Sequence, residues 1–230
     1  MSPLTQAWTF EYFEKSFRHP LSLSSIRNSF VYSLAGSFLD LGLGFAAAFL
    51  LVRAEVKGKR LLDLLVMLPM VLPGLVLAFS YLVVFSDGPL DPRENPIPQL
   101  VAAYAVRRLP YVVRSCASGL AQVAPILEEA ARNCGATSWR VLRTISLPLM
   151  LPHLVAGFIL AFSYAMLEVS DSLILAFQEK FYPITKAIYQ VMGRLVDGPN
   201  LACALGVLGI LILSASLVFA SESLRKTFSY

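Results

Sequence analysis

The sequence has little with which to do chemistry. Its two histidines, His19 and His153, lie far apart, and its three cysteines, Cys116, Cys134 and Cys203, are not spaced as metal ligands or a redox pair. Metal and thiol chemistry thus lack material, and the cysteines read as small apolar packing residues. No glycine-rich loop ending in Lys-Ser or Lys-Thr is present, so the chain brings no phosphate cradle of its own. No nucleophile and base converge in a catalytic motif, which speaks against a membrane hydrolase or lipid transferase. Charge is also scarce, at 15% of residues, where soluble proteins carry roughly 25%. The first 27 residues are polar and aromatic and lack the apolar run of a signal peptide.

Apolar side chains are what the chain has in quantity, at 57% of its 230 residues with a mean hydropathy of +0.66. This composition suits an all-α, polytopic membrane protein whose first partner is lipid. Segments at residues 29–52, 61–85, 97–123, 149–169 and 201–220 are long enough to span a bilayer, which takes about 20 residues. Helices are the form expected, because lipid cannot satisfy unpaired backbone groups. A soluble bundle would need polar helix faces, and residues 45–52 and 207–220 offer almost none. The net charge of +4 and pI near 9 do not require nucleic acid as a partner. The basic residues lie in short loops, where positive-inside topology accounts for them.

The same rule orients the chain. Arg53, Lys57, Lys59 and Arg60 follow the first span, Arg132, Arg140 and Arg143 precede the fourth, and Arg225 and Lys226 follow the fifth. These three regions belong in the cytoplasm, and the acidic, turn-rich loop at residues 86–96 belongs outside. Residues 1–28 form an external segment, residues 29–221 a single transmembrane module and residues 222–230 a cytoplasmic tail. The outer loop at residues 173–200 holds a short helix. An external start without a signal suggests that one more helix once preceded Met1.

The cytoplasmic loop at residues 124–148 has a definite local grammar. Pro125 suits a first helical position, with Glu128 and Glu129 in the first turn, where the helix dipole favours acids. Gly135 is placed to end that helix in a left-handed conformation, and Thr137 or Ser138 can cap the next one. Pro148 is expected to stop the second helix and begin the fourth span. An amphipathic hairpin at the membrane surface suits a docking element.

This loop resembles the signature segment of binding-protein-dependent ABC importer permeases, the MetI-like inner-membrane modules. The likeness lies in Glu129-Ala130-Ala131, then Gly135 after three residues, then Ile145-Ser146-Leu147-Pro148 after nine. It implies that Glu129, Ala130, Ala131, Gly135, Ile145, Leu147 and Pro148 couple the spans to a separate cytoplasmic ABC ATPase. It further implies a second permease module, as homo- or heterodimer, an external solute-binding protein, a bacterial inner-membrane location and no cofactor. Segments at residues 107–114 and 166–172 are similar to the iron(III) branch of the family, with aminoethylphosphonate, thiamine and polyamine importers as alternatives. Iron-branch permeases fuse two modules, so the chain resembles a second half. A truncated, non-transporting scaffold is the other implied possibility.

Charges within the spans admit two readings. Arg107 and Arg108 fall mid-span in the third segment, with Arg114 about two turns on; Glu168 and Asp171 share a face at the outer end of the fourth helix, and Asp40 stands alone in the first. A charge at the bilayer centre costs at least ~2.5 kcal/mol, so each should face protein or water. Arg107, Arg108, Arg114, Glu168 and Asp171 either line a translocation path or pair between helices, as Arg108 could with Asp40 or Glu168. Pro69, Pro73 and Gly74 are expected to kink or unwind the second span.

Overall fold

A computed structural model describes residues 10–193 and 197–228 and contains helices but no strand among them. In chain order the elements are α1 (Glu11–Arg18), α2 (Pro20–Val52), α3 (Lys59–Val71), α4 (Gly74–Phe85), α5 (Ile97–Gln122), α6 (Pro125–Asn133), α7 (Ser138–Val141), a π-helical turn (Leu142–Ser146), α8 (Leu147–Met166), α9 (Ser170–Leu175), a 3₁₀ turn (Glu179–Phe181), α10 (Ile184–Met192) and α11 (Gly198–Phe228). The expected basic tail therefore continues α11, and the side chains of Arg225 and Lys226 lie outside the described residues.

α2 begins earlier than the apolar pattern alone suggests. Pro20 sits in its first turn, and the His19 imidazole accepts from the Leu21 N–H at 3.2 Å, so a cap and a preset φ start the helix before its hydrophobic stretch. Its 33 residues make a rod about 50 Å long. Part of the segment expected to be external, α1 and the first turns of α2, is thus helical.

The distribution of side chains is inverted relative to a soluble helix. The face of α2 turned inward carries Ser22, Ser25, Ser29, Ser33, Ser37, Asp40 and Gly44, while Phe30, Val31, Phe38, Leu39, Leu43, Phe49 and Leu50 are exposed. Small inward residues let backbones approach where no hydrophobic force drives helices together. A Cβ at Gly44 would lie 2.7 Å from Val112 Cγ1, and one at Gly119 2.8 Å from His153 Cβ. α5 occupies the centre of the bundle, packed along both α2 and α8. Val112, Val113, Cys116, Leu120, Met150 and Leu154 fill the space between them.

The expectation of five uniform spans is met only in part. Pro20–Val52, Ser138–Met166 and Gly198–Val218 are long and apolar enough to cross a membrane, and α3 with α4 makes a fourth if that bent pair is one span. α5 has the length, 26 residues, but its three arginines dilute its apolar character. Residues 61–85, expected as one span, form two helices whose axes turn by 102°. The cause is local: Pro69 and Pro73 each remove an N–H, and Leu72, which precedes a proline, is extended at φ −76° and ψ 136°.

The expected outer helix is α10. It is fastened to α2 by the Asn28 side-chain amide, which donates to the carbonyls of Lys180 and Tyr182 at 2.9 and 3.1 Å, and by the Ile184 N–H, which donates to Ser29 Oγ at 2.7 Å. The turn-rich loop before α5 is closed by Asp91, which accepts from the N–H groups of Asp87 and Arg93 at 3.0 and 2.8 Å and pairs with the Arg93 guanidinium. Those contacts hold the Asp91 carboxyl well below the usual carboxylate range.

Candidate functional site

Two constructions stand out, one beyond the C-terminal end of α5 and one at its middle. The first is the α6–α7 hairpin. α6 starts with Pro125 and ends at Gly135, whose φ of +88° is the left-handed conformation expected of it. The closing bonds are the Gly135 N–H to the Arg132 carbonyl at 2.8 Å and the Ala136 N–H to the Ala131 carbonyl at 3.0 Å, so the last carbonyls of the helix are satisfied. Thr137 Oγ1 accepts from the Arg140 N–H at 3.4 Å and caps α7.

Pro148 does not stop the second helix, contrary to expectation. Residues Ser138–Met166 run on as one helical rod through it. The five-residue π-helical turn Leu142–Ser146 ends two residues before Pro148, and the Leu147 N–H bonds the Leu142 carbonyl. A widened turn removes the clash that a proline ring makes with the carbonyl four residues back. Ile145 and Leu147 are half-buried and Pro148 is exposed.

On the hairpin, Glu129 and Ala130 are exposed and Ala131 is half-buried. The neighbouring Glu128 is the buried carboxylate. Its Oε1 accepts from Ser146 Oγ at 2.9 Å and lies 3.4 Å from Arg53 Nε, and its Oε2 lies 3.7 Å from Arg132. Arg53 also donates from Nη2 to the carbonyls of Leu120 and Val123 at 3.0 and 2.6 Å. Sequence spacing picked out Glu129 and passed over Glu128, because Arg53 and Ser146 are remote from it in the chain. Beside this knot lies a groove of about 430 Å³ lined by Phe49, Glu128, Arg132, Trp139, Leu142 and Ser146, among others.

The second construction is a buried charge cluster where two helix breaks meet α5. Arg107 Nη1 lies 3.1 Å from Glu168 Oε1 and 3.7 Å from Asp171 Oδ2. Arg108 pairs closely with Glu168 and lies 3.9 Å from Asp171, and its Nη2 donates to the Tyr164 carbonyl at 2.9 Å. Glu168 is not on a helix with Asp171, as expected, but in the break between α8 and α9; the two are joined instead by the Asp171 N–H donating to Glu168 Oε1 at 3.2 Å. Thr185 Oγ1 closes the break by donating to the Glu168 carbonyl at 2.6 Å. From the other side comes the α3–α4 break, where a Cβ on Gly74 would lie 2.2 Å from Arg107 Nη1. The same Cβ would lie 2.8 Å from Ser170 Cβ, so glycine at this position lets the α3–α4 break close on α9.

Four of the five charges expected to act together are therefore assembled. Arg114 is not among them; it pairs with Asp63 of α3 at 2.9 Å. Asp40 is buried on α2 with Oδ1 unpartnered by hydrogen bonds, and the hydrogen bonds of Arg108 go to Glu168 and the Tyr164 carbonyl rather than to it. The cluster sets two arginines against two acidic side chains. Among the described residues no group of histidine, cysteine and carboxylate side chains could hold a metal ion.

A lipid-facing helical bundle, with broken helices around a central charged pair and a surface hairpin, is the architecture of a transport permease. The chain belongs to the binding-protein-dependent transport system inner membrane component family, whose profile matches residues 40–226. It is thus a multi-pass inner-membrane component of an ABC importer and not an enzyme. It is 29% identical over 224 residues to the molybdate/tungstate transport system permease protein WtpB of Pyrococcus abyssi, covering 95% of this chain and 87% of that one. It is 36% identical over 186 residues to the molybdenum transport system permease protein ModB of Escherichia coli K12, covering 74% and 77%. A putative ferric transport system permease protein of Haemophilus influenzae is 32% identical over 146 residues, which are 64% of this chain but 23% of that one. In fold the chain is similar to a bacterial ABC transporter involved in the import of the acidic polysaccharide alginate, with TM-score 0.80 and 20% identity over 98% of this chain and 86% of that one.

Proposed function

We propose that the chain is the permease subunit of an ABC importer for an oxyanion of the molybdate and tungstate class. The observation that carries the reading is the likeness along nearly the full length of both chains to a permease named for those anions. Ferric permeases also resemble the chain, which favours iron(III) as the second reading, but the match takes in only 23% and 28% of two of them. Phosphonate is a third oxyanion-type cargo, through a permease of Salmonella paratyphi A named for 2-aminoethylphosphonate. Nothing in the charge cluster decides between these, since its arginines face its own acidic side chains. Its most exposed member is Arg107, with 24% of the side chain accessible, so it is the group best placed to meet a passing anion.

In this reading Glu129, Ala130 and Gly135 dock the hairpin on a separate ATPase, and Ile145, Leu147 and Pro148 lead the motion into α8. A second permease module completes the path between the two. An external binding protein delivers the cargo, as in the alginate transporter solved in complex with its periplasmic protein.

The reading is tested by assembling the chain with its ATPase, its second module and its binding protein and measuring ATP hydrolysis. Binding protein loaded with molybdate or tungstate is expected to stimulate hydrolysis several-fold over the unloaded protein. Stimulation by iron(III) or aminoethylphosphonate instead, with none by molybdate, overturns the assignment of cargo.

A further inference from the structure

We infer that Glu128, together with Arg53 and Ser146, is a positioning joint that makes the docking hairpin move as one body with the core. The inference rests on the coupling role proposed above for residues 124–148.

Three helix ends and one irregular turn converge on these side chains. Arg53 is the residue that closes α2, Glu128 stands in the first turn of α6, and Ser146 ends the π-helical turn that feeds α8. The third end is that of α5, where the Arg53 guanidinium binds the carbonyls of Leu120 and Val123 at 3.0 and 2.6 Å. A cation is suited to that place by the negative end of the helix dipole, and a carboxylate is suited to the start of α6 by the positive end. One arginine thus serves α5 and α6 at once, while Glu128 Oε1 also accepts from Ser146 at 2.9 Å.

The burial pattern separates this pair from surface ion pairs. The Arg53 and Glu128 side chains are 16% and 9% accessible, whereas exposed pairs are screened and hold little. A buried carboxylate cannot leave its partners without remaining uncompensated. Displacement of α6 by a partner therefore drags Arg53, and with it the ends of α2 and α5, while Ser146 carries the same displacement into α8. Glu129, one residue on, is exposed and left to face outward. The adjacent carboxylates divide the work: one turns to the partner and the other to the core.

The test uses the complete importer carrying Glu128→Gln, Ser146→Ala or Glu128→Ala, with Ala130→Trp as a check on the coupling role itself. The readouts are cargo imported per ATP hydrolysed and the melting temperature of the complex. Glu128→Gln keeps an acceptor for Ser146 and removes the charge facing Arg53, so imported cargo per ATP is expected to fall several-fold while melting is unchanged. Ser146→Ala is expected to lower the ratio to a smaller extent, and Glu128→Ala to lower it most. A wild-type ratio in both Glu128→Gln and Ser146→Ala overturns the joint, as does a loss that only tracks melting. If Ala130→Trp also leaves the ratio unchanged, it is the coupling role that fails; if Ala130→Trp lowers it while the Glu128 and Ser146 variants do not, only the joint fails.

Discussion

Arg108→Leu is expected to prevent accumulation of the folded chain. The substitution would leave Glu168 and Asp171, at 5% and 0% accessibility, with Arg107 as their one remaining cation. Removing one member of a buried ion pair costs about 3–5 kcal/mol, because the partner charge stays buried. Glu168→Gln added to Arg108→Leu is expected to recover a large part of the loss, since Asp171 then retains Arg107 for itself. The two changes should be strongly non-additive, as changes at touching residues are. The measurement is monodisperse protein recovered in detergent and its melting temperature. Normal recovery and melting of the single variant, with import abolished, would instead make Arg108 a path residue with no structural share.

Ala130→Trp is expected to reduce import sharply without disturbing the fold. Ala130 is exposed on α6, so the new ring meets solvent in the isolated chain. On a docked surface the same ring must be accommodated in a packed contact, where overpacking costs typically ~1–3 kcal/mol. Each 1.4 kcal/mol is tenfold in affinity, so ATPase association is expected to weaken about 5- to 150-fold. Size-exclusion recovery of the permease should be unchanged while co-purification of the ATPase falls. Glu129→Ala, which removes a charge but adds no bulk, should have the smaller effect.

Much of this architecture is legible in the sequence because local rules agreed with the fold. Gly135 ends α6 with a positive φ and Thr137 caps α7 because turn and cap chemistry depends on a few adjacent atoms. The break at Pro73 follows in the same way from two missing N–H groups, although the size of the bend does not. Pro148 stands in the first turn of α8, as a start of the fourth span requires, but it does not stop the helix before it. A proline ends a helix only where no wider turn can absorb it, and here the π-helical turn at Leu142–Ser146 does so. Glu168 shows another limit, since an apolar run cannot say where a span is interrupted by hydrogen bonds from a distant threonine.

The contacts that sequence could not supply are all long-range. Arg53 reads as one of several positive-inside residues, and only the folded chain shows it binding the end of α5 and facing Glu128. Gly74 reads as a helix breaker, yet its place against Ser170 and Arg107 gives it a second role in letting the α3–α4 break pack closely on α9. Cargo is likewise not legible in these residues. The similarity of residues 107–114 and 166–172 to iron permeases implies iron(III), but in the fold Arg107 and Arg108 pair with Glu168 and Asp171 while Arg114 pairs with Asp63, so these charges single out no cargo.

The most direct measurement is tracer uptake into proteoliposomes holding the chain, its second permease module and its ATPase, with loaded binding protein outside and ATP inside. Molybdate or tungstate is expected to accumulate only with ATP, not at all when the ATPase is omitted, and much more slowly when Ala130→Trp is introduced. Uptake that proceeds without the ATPase, or that survives Ala130→Trp undiminished, would contradict this expectation.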